Sequence, residues 1–170
     1  NNTNTAVGLS SLVANTSGTY STAVGYQTGL VNTSGEVTAI GALALSANTS
    51  GGNNTGIGVY ALGLNTTGSY NTAIGRTALY SNTTASNNTA VGYQSLYTNT
   101  AGSNTAVGYK AGYAFNGTET YGEVYIGYVA GTSTTTGNSN TFVGGYAGYG
   151  NTTGTLNTTL GAYKIGRAHV

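Results

Sequence analysis

The chain has 170 residues, of which 4% are charged, with a formal net charge of +1, no Pro, Cys, Met or Trp, and 29 Gly and 15 Tyr. A typical soluble domain is about 25% charged, so an ordinary globule around one closed core is excluded. The lack of Cys excludes a disulfide scaffold, and no apolar run reaches the ~18 residues of a membrane-spanning helix.

From the N-terminus onward one element returns. A glycine recurs about every 17 residues, at Gly8, Gly25, Gly41, Gly58, Gly75, Gly92, Gly108, Gly127, Gly144 and Gly161. An aliphatic residue precedes each: Val7, Val24, Ile40, Ile57, Ile74, Val91, Val107, Ile126, Val143 and Leu160. A fixed short period over the whole length marks a repeat architecture. Low-complexity disorder does not keep aliphatic residues in phase.

Each copy opens with a strand. With the glycine as position 0, Thr stands at −3 in all copies but the one with Val124, and small residues such as Ala6, Ala23, Ala39 and Gly56 stand at −2. Positions −3 and −1 share parity and therefore one face. Their β-branched side chains favour extended backbone. We expect the aliphatic row at −1 to form the internal core ladder with Thr beside it, and the bare Ala/Gly face to meet another backbone.

A second short run follows the glycine, as in Tyr93–Tyr97 or Arg76–Tyr80, and is expected to be a second strand. Asn-Thr-Thr/Ser-Gly segments such as Asn65–Gly68 then read as turns, because Asn and Gly tolerate positive φ. A helical reading fails on the glycines and β-branched residues in every period. The expected fold is all-β: a parallel β-solenoid (β-roll) of about ten coils spanning 1–163. At about 4.8 Å per coil this is a rod roughly 50 Å long.

The copy between Gly108 and Gly127 has two extra residues and carries Glu119 and Glu123, which reads as a surface bulge. After Tyr163 the period fails. Residues 164–170 read as a non-native tail, since Ile165–Val170 matches the translation of a common sequencing adapter (ATC GGA AGA GCA CAC GTC). The chain begins inside a repeat, and we expect a fragment truncated at both ends. Without the tail, Arg76 and Lys110 stand against Glu36, Glu119 and Glu123, and the only His is gone. No basic patch for nucleic acid is left.

The motif Asn-Thr-Ala-Val/Ile-Gly, with a small residue three places on, resembles the head repeats of trimeric autotransporter adhesins. The 17-residue form is also similar to repeats of phage tail-fibre and bacterial surface proteins. The resemblance implies a β-roll, three chains side by side, and attachment at a cell or virion surface, hence an extracellular location. The period is longer than the adhesin family's, and Tyr is more abundant.

The expected function is therefore a structural and adhesive fibre segment, homotrimeric, binding carbohydrate or a host-surface receptor, with no direct membrane insertion. The surface-contact candidates are Tyr26, Tyr93, Tyr109, Tyr128, Glu119 and Glu123. Without the tail the chain has no His, Cys or Asp, so no acid–base set, metal site or cofactor is expected, and no catalysis. Two alternatives stay open. One is an ice-binding solenoid, against which an inward Thr row would count. The other is an amyloid-like matrix protein that grows through unpaired coil ends.

Overall fold

The computed structural model describes residues 3–33, 36–117 and 122–163. It is all-β. Ten strands form one parallel sheet in sequence order: β1 Thr5–Val7, β2 Thr22–Val24, β3 Val37–Ile40, β4 Asn54–Ile57, β5 Thr72–Ile74, β6 Thr89–Val91, β7 Thr105–Val107, β8 Val124–Ile126, β9 Thr141–Val143 and β10 Thr158–Leu160. Equivalent positions stack, as in Thr72 on Thr89, Ala73 on Ala90 and Ile74 on Val91. The long copy does not disturb this, since Thr105 pairs with Val124 and Val107 with Ile126. Residues 118–121, Glu119 among them, and the tail 164–170 lie outside the described set.

The faces of the strands are the reverse of the expectation. Ala23, Ala39, Ala73, Ala90 and Ala106 at position −2 are fully buried, and they form the inner wall. The predicted core ladder faces outward. Val7, Ile40, Ile74, Val107, Ile126 and Leu160 are exposed, and Val24, Ile57, Val91 and Val143 are half-buried. The reason is the width of the coil. A 17-residue circuit closes on itself so tightly that the opposite wall leaves room only for a small side chain. A Cβ placed on Gly56 would lie 3.2 Å from Leu45 Cγ. The bare face does mark a close approach, but to the far wall of the same array.

That far wall is a run of turns rather than a second strand. The residues two and four places after the glycine adopt left-handed backbone even when they are not Gly or Asn: Tyr60 (φ 59°) and Leu62 (φ 52°), Thr77 (55°) and Leu79 (50°), Gln94 (54°) and Leu96 (48°). Such conformations cost about 1–2 kcal/mol each. They are offset because this wall still bonds from coil to coil, for example Leu62 N–H to Ala78 O (3.0 Å) and Leu79 N–H to Ser95 O (3.0 Å). The same geometry turns Leu45, Leu62, Leu79 and Leu96 inward, fully buried. Each contributes about 1.5–3 kcal/mol of apolar burial.

Two rows of asparagine flank this apolar strip. In the Asn-Thr-Thr/Ser-Gly segments, Asn48, Asn65 and Asn82 are buried and bond along the row: Asn65 Nδ2 donates to Asn48 Oδ1 (2.7 Å) and to Gly68 O (2.9 Å), and Asn82 Nδ2 donates to Asn65 Oδ1 (2.9 Å). At position −4, Asn71 N–H donates to Asn54 Oδ1 (2.9 Å) and Asn88 N–H to Asn71 Oδ1 (3.0 Å). These asparagines serve the fold through their inward amides, and none of them has positive φ. Replacing Asn65 with Leu, close in volume, strands the neighbouring amides. We expect a loss of about 3 kcal/mol, read in denaturant unfolding.

Candidate functional site

The outward sheet face is the first candidate surface. Thr at −3 and Val or Ile at −1 run side by side along the rod as two straight rows, because every strand is in register with the next. Among the described residues no side-chain hydrogen bond within the chain uses the hydroxyls of Thr22, Thr38, Thr55, Thr72, Thr89 or Thr105. Val107, Ile126 and Ile40 expose 37%, 38% and 39% of their surface. A regular, part-apolar strip of this kind is a candidate contact surface.

The tyrosines make a second surface. Tyr93, Tyr109 and Tyr128 stack in one row, with ring centroids 5.4 and 5.2 Å apart and planes 14° and 11° off parallel. Tyr80, Tyr97 and Tyr113 stack in another, each pair 5.3 Å apart. Lys110 lies between the rows, its Nζ 5.6 Å from the Tyr109 ring and 5.2 Å from the Tyr113 ring. Stacking closes the ring faces on one another and leaves edges and hydroxyls outward. The stacked interior of these rows therefore offers no free ring face to a sugar. Tyr26 is exposed, but its neighbours in the row are Leu9 and Ala42, so no aromatic stack extends from it.

Glu123, expected at the surface, is inside. It occupies the position −4 row, where its N–H donates to Asn104 Oδ1 (2.9 Å). Its Oε2 accepts from the Tyr125 hydroxyl (2.8 Å) and from Asn140 N–H (3.1 Å), while Oε1 has no partner. Burial raises its carboxyl to about pKa 7, against the lowering effect of the Tyr125 and Asn140 hydrogen bonds. Burial likewise raises the Tyr125 phenol, with the Glu123 charge adding to it.

This copy rebuilds the interior. Phe115 replaces an Asn of the other polar row, and Tyr125 and Phe142 replace Ala at −2. Their rings pack in sequence, Phe115 to Tyr125 at 6.1 Å and Tyr125 to Phe142 at 5.8 Å. Room comes from the far wall, where Gly131 and Gly148 stand in place of Leu. A Cβ on Gly131 would meet the Tyr125 ring, and one on Gly148 the Phe142 ring. The paired change of −2 and +4 is a signal the sequence carried and face parity alone did not use.

Among the described residues no group of three or more His, Cys, Asp or Glu could hold a metal ion, and no helix is long and apolar enough to cross a membrane. No family model, no curated protein and no solved structure matches the chain.

Proposed function

We propose that the chain is a structural and adhesive segment of an extracellular fibre, on a bacterial surface or a virion, built from three copies side by side. The observation that carries the reading is the outward aliphatic row. The backbone of each coil is already hydrogen-bonded to its neighbours, so this row is not needed to close the coil. It is suited to line a three-fold axis, where the same row of three parallel copies converges at equal height, as a closed cyclic assembly allows. The resemblance of the motif to adhesin heads sets the number of chains at three. The seam lies on the Val/Ile face, since the coil's own far wall covers the Ala/Gly face. The role is attachment and extension, without catalysis.

Sedimentation tests this. The wild-type chain should run at three times its 16.9 kDa mass. The double variant Ile74→Glu, Val91→Glu should run as a folded monomer, because two like charges per chain would be buried in the seam. A wild-type chain that is folded and monomeric at all concentrations would refute the assembly.

A second reading, ice binding, gains from the same correction. The Thr row faces outward, so the parity objection to that reading falls. Free hydroxyls about 4.8 Å apart in an in-register row suit an ordered water layer. Clear thermal hysteresis by the wild-type chain, abolished in Thr72→Lys, Thr89→Lys, would favour this reading over the fibre.

A further inference from the structure

The two phenol rows have a chemistry that neither reading above uses. The chain has no Cys, so no disulfide ties one coil to the next. Yet it places pairs of tyrosines 16 to 19 residues apart in ring-to-ring contact: Tyr93 with Tyr109, Tyr109 with Tyr128, Tyr80 with Tyr97 and Tyr97 with Tyr113. The backbone holds these pairs in register. Lys110 N–H donates to Tyr93 O (2.9 Å), Val129 N–H to Tyr109 O (2.8 Å) and Ser81 N–H to Tyr97 O (3.0 Å). With centroids 5.2–5.4 Å apart, a tilt of each ring brings ring carbons ortho to the hydroxyls together. The rings are part-exposed, so a diffusible oxidant or a short-range radical transfer can reach them.

We propose that the rows are sites of oxidative stapling, in which a haem peroxidase using hydrogen peroxide joins neighbouring tyrosines of one chain into dityrosine. Each phenol of a pair gives up one electron and its hydroxyl proton. The two phenoxyl radicals couple by a carbon–carbon bond between ortho positions. The hydrogen on each joined carbon then returns to oxygen as the rings regain aromaticity. The two electrons and two protons reduce one peroxide to two waters. Tyr97 and Tyr109 each have two ortho carbons and a neighbour on either side, so each can carry two bonds. The product is a coil-to-coil staple that does the work a disulfide would do, by closing short loops in the unfolded chain.

The test treats the purified chain with haem peroxidase and limiting hydrogen peroxide, follows dityrosine fluorescence, and maps the joined peptides by mass spectrometry. The expected links are the stacked pairs within one chain, these four and Tyr146 with Tyr163, whose centroids lie 4.6 Å apart. Tyr20 and Tyr70 are the control, because they expose 70% and 63% of their surface yet make no ring contact among the described residues. They should be under-represented. Tyr109→Phe preserves ring packing and should abolish both of its links while leaving Tyr80–Tyr97 and Tyr97–Tyr113 intact. Selectivity should vanish when the chain is unfolded in guanidinium before oxidation. Absence of dityrosine, or links that follow exposure and centre on Tyr20 and Tyr70, would overturn the proposal.

Discussion

Gly58→Ala should cost at least about 4 kcal/mol or prevent folding, an effect in the exceptional range for one methyl group. Gly58 has φ +133°, and a Cβ there would lie 2.6 Å from both the carbonyl carbon and the oxygen of Gly75 in the next coil. Neither problem can relax. The conformation is one that side chains rarely adopt, and the obstacle is backbone, held by the Gly75 N–H to Ile57 O hydrogen bond (2.7 Å). In a repeat array the damage includes the interface between adjoining coils. Gly145→Ala is the control. No atom lies within 4 Å of its added Cβ, and the change should stay within about 0.5 kcal/mol in thermal or denaturant unfolding.

Glu123→Gln should remove a pH dependence of about 3 kcal/mol. The carboxyl titrates at 4.5 in the unfolded chain and about 7 in the folded one. Below 4.5 both states hold the proton. Between these values only the folded chain holds it, so stability falls as pH rises, and it levels off above about 7. The wild-type chain should therefore be less stable at pH 8 than at pH 5. Gln keeps the acceptor that Tyr125 and Asn140 use and carries no charge, so the variant should be nearly flat across this window. Comparing the two chains cancels contributions from elsewhere in the molecule. A variant that tracks the wild-type slope would show that Glu123 is not the source.

The period, the strand before each glycine and the parallel in-register stacking were legible in the sequence, whereas the second strand expected after each glycine is a run of turns. Chain-long phase between glycine, aliphatic and Thr admits few other arrangements. Which face lies inside was not legible from parity, because alternation sorts residues into two faces without labelling either. Size would have labelled them. Wherever Tyr125 or Phe142 enlarges position −2, a Leu across the coil becomes Gly131 or Gly148, and such compensation occurs only across a packed interior. The left-handed turns were hidden for another reason. Their residues include Leu62, Thr77 and Gln94, which signal no positive φ, and the conformation is imposed by coil closure. Glu123 reads as exposed because it lies with Glu119 in the copy that has two extra residues. Its phase, four before Gly127 where most other copies have Asn, was the available clue.

The orientation of the strands and the seam built on it can be tested together, since the chain has no Cys of its own. Single variants Ala90→Cys and Val91→Cys should behave oppositely under mild oxidation followed by non-reducing electrophoresis. Ala90→Cys, inside the coil, should stay monomeric and resist alkylation in the native state. Val91→Cys should form disulfide-linked dimers that take up two chains of each trimer. Cross-linking at Ala90→Cys would contradict the assignment of the faces, and a Val91→Cys chain that is freely alkylated and never cross-links would contradict the seam.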